Sequence, residues 1–331
     1  MGADLTTKRE RLQAALAGDM SDRSPVALWR HFPVDDQDPL ALADATLDFQ
    51  AQYDFDFIKV TPASSFCVRD WGVEDAWQGD PEGTREYTRY VIVEPRDWSR
   101  LRPLPPRRGF LGAHLKCLAR LKDRCGADVP FIQTVFSPLS QAKHLAGEAR
   151  LLEHLRRDPR RVLQALEVIT QTTVAYVDAA RACGISGVFY AAQQASYRLM
   201  DREAYARFGE PFDRRVLEAA GGLWLNVLHL HGEAVMFDLA ATYPIHVINW
   251  HDRETAPSLG EARRMTRAAL CGGLSRQATM VLGDPASVSR EAKAALRATQ
   301  GRGFILGTGC VVPVVAPRSN LMAARRAVDC A

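Results

Sequence analysis

The sequence has little excess charge and no long apolar run. Its 331 residues include 42 basic and 39 acidic side chains, so the formal net charge is only +3. So small an excess creates no strong field for nucleic acid. The chain also lacks the run of about 18 apolar residues that a membrane-spanning helix needs. We therefore expect neither a nucleic-acid partner nor a membrane partner.

The cysteines form no recognisable framework. There are seven of them, an odd number, and no two form a Cys-x-x-Cys pair. Disulfide scaffolds are typical of small secreted domains, so reduced thiols are the expectation for a chain of this length. The N-terminus is charged and has no apolar segment typical of a secretory signal. Both observations predict a cytoplasmic protein.

Short apolar runs alternate with helical stretches along the chain. The hydrophobic content of 47% is ample for a large core. Eight apolar runs are each followed by a helical pattern, which predicts a parallel sheet. Eight units in a chain of this length favour one (β/α)8 TIM barrel. A dinucleotide-binding sheet is less well supported, because no GxGxxG motif follows an early strand. The predicted strands are 25–29, 55–61, 129–136, 187–192, 224–231, 245–251, 270–274 and 303–307.

We expect a single domain over residues 1–331. A helix is predicted over 8–17, ahead of the barrel, and a continuous helix is predicted over 201–220. Residues 64–108 lack regular periodicity and hold three of the six tryptophans. This segment is predicted to be an insertion after the second strand, with a hairpin at 87–94.

Polar side chains collect where the predicted strands end. In a TIM barrel the active site lies at the C-terminal ends of the strands. The polar residues at these ends are Arg30, His31, Lys59, Thr61, Gln193, Gln194, His229, His231, Glu233, Asn249, His251, Asp252, Thr308 and Cys310.

His229 and His231 are the most informative pair. Residues two apart on a strand point to the same face, so both imidazoles are expected at the barrel axis, where Cys310 can also reach. Two imidazoles and one thiolate suit zinc and leave one position open, which is typical of a catalytic site. His251 or Glu233 is a candidate fourth ligand or a hydrogen-bond partner of a ligand. An ordinary core role for these side chains is the alternative.

Both ends of the chain resemble the uroporphyrinogen decarboxylase superfamily. The opening carries KRERL at 8–12 and DRSPV at 22–26, and the ending carries GFILGTGC at 303–310 and PRSNL at 317–321. The resemblance covers nearly the whole chain. It implies a (β/α)8 barrel, in agreement with the strand pattern.

This resemblance implies one of two activities. One is cofactor-free decarboxylation of uroporphyrinogen, and the other is zinc-dependent methyl transfer between methyl-corrinoid proteins and a thiol such as coenzyme M. Three motifs of the decarboxylases differ in this chain. The arginine-rich stretch reads WRHFP at 29–33, the Phe-Ser-Asp segment reads IKVTP at 58–62, and the late Gly-His-Gly reads GTG at 307–309. A substrate with eight carboxylates needs several fixed cations, and few are present.

The methyltransferase branch is the closer match. It carries His-x-Cys-Gly on the fifth strand and a late Gly-Cys, and these three side chains bind zinc. The resemblance therefore implies that His229, His231 and Cys310 are zinc ligands, with His231 in the place of a cysteine. Imidazole also binds zinc, although the exchange leaves the site more positive. The chain has no Asp-x-His-x-x-Gly corrinoid motif, so a corrinoid would arrive on a partner protein.

Three hypotheses for the function follow. The favoured one is a zinc-dependent methyltransferase that moves a methyl group from a donor, such as a methyl-corrinoid protein, to a small thiol, with Arg30, His31 and His251 as candidate catalytic residues. The second is a metal-free lyase that acts on a carboxylated substrate through Arg30, Lys59 and His251. The third is a non-catalytic barrel that holds a corrinoid or tetrapyrrole. A homodimer is left open.

Overall fold

The computed structural model describes residues 6–125 and 128–329, and it shows an α/β fold. Among these residues no helix is both long and apolar enough to cross a membrane. The helices are α1 (Lys8–Ala17), α2 (Pro39–Tyr53), α3 (Gly109–Cys125), α4 (Pro138–Ala146), α5 (Glu148–Arg157), α6 (Pro159–Ala182), α7 (Arg202–Phe208), α8 (Glu210–Ala219), α9 (Leu259–Met265), α10 (Pro285–Thr299) and α11 (Arg318–Arg326). The strands are β1 (Ile58–Val60), β2 (Glu74–Ala76), β3 (Glu86–Arg89), β4 (Phe131–Phe136), β5 (Gly187–Ala192), β6 (Val227–Leu230), β7 (Val247–Trp250), β8 (Ala269–Leu274) and β9 (Phe304–Thr308).

Seven strands form one curled parallel sheet in the order β1-β4-β5-β6-β7-β8-β9. The first predicted strand, 25–29, forms only a single bridge between Val26 and Leu306. It nevertheless contacts both ends of the sheet. The amide of Ala27 donates to the carbonyl of Leu306 at 2.9 Å, and the amide of Asp56, just before β1, donates to the carbonyl of Val26 at 2.9 Å. The predicted α/β class is thus confirmed as a TIM-barrel-like parallel sheet, and a closed eight-stranded barrel stays a prediction.

Two local predictions were wrong. The helix predicted over 201–220 is divided at Gly209 into α7 and α8, because Pro211 has no N–H with which to continue the helical hydrogen bonds. The hairpin predicted at 87–94 lies earlier in the sequence, and a longer loop separates its strands at 74–76 and 86–89. Its strands, β2 and β3, pair antiparallel with a bulge between Glu74 and Asp75.

Two hydrophobic layers surround the sheet. An outer layer lies between the strands and the helices, and a smaller inner layer lies inside the curl. Along β6 the two layers alternate, with Val227 in the inner layer and Leu228 in the outer one. This period of two points His229 to the inside. Leu12 of α1 belongs to the inner layer, so the N-terminal helix packs across the end of the sheet where the strands begin.

A buried carboxylate fixes the N-terminal region to the sheet. Asp56 is fully buried and accepts hydrogen bonds from Arg11 Nη1, Arg23 Nη1 and the amide of Val26, each at 2.7 Å. These contacts join α1 and segment 25–29 to the residues before β1. They lie at the strand ends opposite to the histidine-rich ends.

Candidate metal site

Four donor side chains meet at the C-terminal ends of three strands. His229 lies on β6 and His231 directly follows it, His251 follows β7, and Cys310 follows β9. One ligand atom from each of these side chains lies within 4.8 Å of the others. Among these atoms, Nε2 of His229 lies 3.4 Å from Nδ1 of His231, and Sγ of Cys310 lies 3.7 Å and 3.8 Å from those nitrogens. We call these four residues the His/Cys cluster.

The spacing of the His/Cys cluster fits zinc. With Zn–N bonds of about 2.0–2.1 Å and Zn–S bonds of about 2.3 Å, tetrahedral ligands lie about 3.4 Å apart for two nitrogens and about 3.6 Å apart for nitrogen and sulfur. The three distances in the cluster are close to these values. Imidazole and thiolate are also the ligand types that zinc prefers in proteins. The residues present therefore suit this metal in both type and spacing.

Asn249 determines which nitrogen of His229 is free. The Nδ2 group of Asn249 donates to the carbonyls of Cys271 at 2.9 Å and Thr308 at 3.0 Å, which fixes the orientation of the amide. Its Oδ1 consequently faces Nδ1 of His229 at 2.7 Å and accepts a hydrogen bond from it. With its proton on Nδ1, His229 presents the Nε2 lone pair to the cluster.

Glu254 does the same for His251. Nδ1 of His251 lies 2.9 Å from Oε2 of Glu254, and its buried Nε2 has no hydrogen-bond partner among the described residues. A buried nitrogen without a partner is costly unless a ligand satisfies it. The other fourth-ligand candidate, Glu233, lies at the surface, where it forms an ion pair with Arg198. The structure thus places His251, and not Glu233, beside His229 and His231.

The imidazoles make Cys310 acidic. Burial alone would raise the pKa of the Cys310 thiol, but His229, His231 and His251 hold it well below its ordinary value of 9.0. Burial lowers the pKa of His229. Burial also acts to lower the pKa of His251, but Cys310 and Glu254 outweigh it and raise that pKa. The Cys310 thiolate and the neutral His229 imidazole are thus in the protonation states that a metal requires, whereas the raised pKa of His251 means that its imidazole must lose a proton to bind a metal.

A cavity of about 280 Å³ adjoins the His/Cys cluster. It is lined by His31 and Lys59 as well as by His229, His231 and Cys310. Burial and the nearby Lys59 lower the pKa of His31 to about 4, so His31 is neutral at pH 7. This volume suits a small molecule.

Lys59 is the unusual group in this cavity. Its side chain is buried, and Nζ lies 3.3 Å from Oγ1 of Thr61 and 4.7 Å from the ring centre of Phe189. No carboxylate lies within ion-pair distance of it in the part of the chain that the structure describes. Burial lowers the pKa of Lys59 to about 7, although the charge of Cys310 opposes this. A buried lysine with a pKa near 7 and no carboxylate partner is a functional candidate.

Arg30 lies apart from the cavity. Its guanidinium packs over the rings of Phe32 and Phe49, at 5.2 and 5.4 Å, and Nη1 donates weakly to the carbonyl of Val314 at 3.4 Å. Neighbours on an extended segment alternate in direction, so Trp29 and His31 line the cavity while Arg30 points away. Its catalytic role stays a prediction, and we do not include it in the proposed function.

The sequence analysis assigned no role to the residues that orient the cluster. Asn249 is the register partner of His229 on the neighbouring strand, and its place at a strand end was the available signal. Glu254 lies three residues after His251, a spacing that permits a local contact. Glu82 comes from the insertion and also lines the cavity, but no sequence pattern pointed to it.

We expect Asn249→Ala to weaken zinc binding about 10- to 100-fold, because His229 loses the partner that fixes its tautomer. Asn226→Ala is the matched control. Asn226 is a buried asparagine that bonds the amide of Val188 and the carbonyl of Ala220, away from the cluster. Competition with a chromogenic chelator measures both affinities. Equal losses in the two variants would show that Asn249 acts only through stability.

The uroporphyrinogen decarboxylase (URO-D) family model matches residues 7–330. The chain belongs to this family. This membership confirms the family expected from both ends of the sequence.

Similar relatives within the family are named as methyltransferases. The chain is 25% identical over 258 residues to the methylcobamide:CoM methyltransferase MtbA of Methanosarcina acetivorans, which covers 76% of this chain and 73% of that protein. It is 25% identical over 224 residues to MtaA of Methanosarcina barkeri, covering 67% and 64%. A solved methyltransferase from Methanosarcina mazei shares the fold, with a TM-score of 0.84, 20% identity and 98% of each chain covered. These relatives confirm the closer resemblance to the methyltransferase branch of the family.

Proposed function

We propose that this protein is a zinc-dependent methyltransferase that transfers a methyl group from a methyl-corrinoid donor to a small thiol. The single observation that carries the proposal is the His/Cys cluster at the cavity, with spacings that suit zinc. The names of the relatives, methylcobamide:CoM methyltransferases, support both the donor and the acceptor. We further propose a single closed (β/α)8 barrel over residues 1–331 as its architecture.

His229, His231, Cys310 and His251 would hold the metal in the resting protein, and a substrate thiol would take the position of His251, because a tetrahedral zinc with four protein ligands has no free position. When bound, zinc lowers the pKa of a substrate thiol, so that the sulfur is nucleophilic near pH 7. In the balanced reaction a sulfur–carbon bond forms, and the carbon–cobalt bond of the donor breaks with its electron pair left on the corrinoid. Asn249 and Glu254 keep two imidazoles in the tautomers that a metal needs.

The cavity accounts for the choice of a small acceptor. Phe189 stacks on His229, with ring centres 5.0 Å apart, and contacts Lys59 on the way into the cavity. This apolar wall excludes water from the sulfur, while Lys59 binds an anionic group at the other end of the thiol. The corrinoid is larger than the cavity, so we assign it to a partner protein that approaches the open strand ends.

We expect Lys59→Met to raise the KM for 2-mercaptoethanesulfonate about 10- to 100-fold, because a buried charged hydrogen bond contributes about 1.5–3 kcal/mol. The KM for neutral 2-mercaptoethanol is expected to stay within about twofold, since it offers Lys59 no charge. Initial rates with the two thiols give the comparison, and zinc content serves as the control for an intact site. An equal change for both thiols would contradict an anion-binding role.

Two other hypotheses have less support. The metal-free lyase needs Arg30, Lys59 and His251 in one place, but Arg30 packs against Phe32 and Phe49. A barrel that only holds a tetrapyrrole does not require a thiolate surrounded by three imidazoles. We therefore set both aside.

The proposed function is tested with methylcobalamin as donor and a panel of small thiols as acceptors. We expect a methyl thioether to form. Its formation should stop after dialysis of the protein against a chelator and resume when zinc is added. Thioether formation that survives complete metal removal contradicts the proposal. So does a protein that carries zinc but methylates no thiol, with either free methylcobalamin or methyl-corrinoid protein.

A further inference from the structure

A line of charged side chains leads from the His/Cys cluster to the insertion. Nδ1 of His251 lies 2.9 Å from Oε2 of Glu254, and the other oxygen of Glu254 lies 3.3 Å from Nε of Arg276. Nη1 of Arg276 in turn lies 3.0 Å from Oε1 of Glu82. Glu82 belongs to the insertion, 194 residues before Arg276 in sequence. One guanidinium thus joins two separate parts of the chain.

The part of the insertion around Glu82 forms a wall of the cavity. Glu82, Thr84, Arg85 and Tyr87 line the cavity together with His229, His231 and Cys310. The wall is closely fitted, because a Cβ added at Gly83 would lie 2.7 Å from Cβ of His31. We call residues 80–87 the cavity wall segment.

The cavity wall segment also has uncharged ties to the barrel end, among them a 2.9 Å contact between the Tyr87 hydroxyl and Oγ of Ser64. The amide of Val314 donates to the carbonyl of Pro81 at 2.8 Å, and Gln277 reaches Glu82 at 3.4 Å. Arg85 bonds Asp75 and Asp36, both of which lie outside the seven-stranded sheet. The Arg276–Glu82 pair is therefore the charged connection that runs from this segment toward the cluster.

Arg276 is suited to this role by its burial and its shape. Its side chain is 10% exposed, whereas Glu82 and Glu254 are 30% and 39% exposed. A planar guanidinium can bond two carboxylates at once in fixed directions, which a lysine ammonium does less well. Arg276 therefore sets where Glu254 lies, and Glu254 sets where His251 points.

We propose that Arg276 is a positioning residue that couples the cavity wall segment to the metal ligand His251. Metal at the cluster and a closed wall then stabilise each other, and by linkage the coupling acts equally in both directions. The inference rests on the proposed metal site. It identifies Arg276 as the residue through which the insertion, which lies outside the barrel core, influences that site.

Hydrogen–deuterium exchange of the full chain, with and without added zinc, tests the coupling. In the wild-type protein we expect zinc to slow exchange in the cavity wall segment at least about threefold. In Arg276→Met we expect the same exchange rate with and without zinc. Arg276→Met is also expected to bind zinc about tenfold more weakly, at the lower end of the effect of lost ligand-orienting contacts.

Two further variants separate coupling from general stability. Glu82→Gln removes the negative charge that Arg276 meets on the insertion, so it should lose most of the zinc-dependent protection while its zinc affinity stays within about threefold of wild type. Arg202→Met is the matched control, because Arg202 also bridges two carboxylates, Glu210 and Asp238, away from the cavity. It should keep the full protection.

The possible results distinguish this inference from the proposed function. A wild-type protein that binds no zinc overturns the metal site and the coupling together. Zinc binding without slower exchange in the cavity wall segment overturns the coupling alone. Protection that persists in both Arg276→Met and Glu82→Gln also overturns it, whatever the activity of those variants.

Discussion

Cys310→Ala is expected to lose zinc and methyl transfer together while the protein remains folded. Cys310 is the one thiolate among the four donors, and three neutral imidazoles remain without it. Removing a ligand should weaken zinc binding by more than the roughly 100-fold upper effect of losing a partner of a ligand. We expect less than about a tenth of the wild-type zinc content after dialysis, and a rate lowered about 1000-fold or more.

Cys117→Ala is the matched control for Cys310→Ala. Cys117 is buried in the outer layer on α3, away from the His/Cys cluster, and burial raises the pKa of its thiol, so it is an inert core side chain. Its removal should leave zinc content and methyl transfer close to wild type. Metal analysis and initial rates on both variants give the result. A Cys310→Ala protein with full zinc content and activity would remove the cysteine from the site.

Asp56→Ala is expected to cause the largest loss of stability, about 3–5 kcal/mol in the free energy of unfolding. Asp56 is fully buried, and its removal leaves the guanidinium groups of Arg11 and Arg23 buried without their shared carboxylate. It also removes the acceptor for the amide of Val26. Because segment 25–29 contacts both ends of the sheet, its loosening affects the whole fold.

Asp22→Ala separates this effect from ordinary surface ion pairing. Asp22 also bonds Arg11, but its side chain is 41% exposed, so its loss should cost about 1 kcal/mol or less. Urea unfolding of both variants measures the difference. Zinc content of folded Asp56→Ala should match wild type, since the network lies at the opposite strand ends. Equal losses for Asp22→Ala and Asp56→Ala would contradict the role of the buried carboxylate.

Regular periodicity explains which parts of the fold were predictable. Seven of the eight predicted strands form the sheet, because each is a short apolar run bounded by turns. The first run, 25–29, lies at its predicted place but forms a single bridge, and hydrogen bonds from its neighbours hold it there. The hairpin of the insertion was misplaced because residues 64–108 carry no period that fixes a register.

The candidate site was predictable where it depends on strand ends. His229 and His231 share a face, and the parallel sheet brings His251 and Cys310 to them. The catalytic role of Arg30 was predicted from its position at a strand end alone, whereas its alternation with Trp29 and His31 points it away from the cavity. Contacts across long sequence separations, such as Arg276 with Glu82, leave no local pattern and required the structure.

The central claim is that three imidazoles and one thiolate hold zinc at the strand ends. X-ray absorption at the zinc K-edge of the purified protein tests it most directly. The account predicts about one zinc per chain with one sulfur and three nitrogen neighbours, and a sulfur signal that is lost in Cys310→Ala. A folded protein without stoichiometric zinc, or a zinc with no sulfur neighbour, would contradict it.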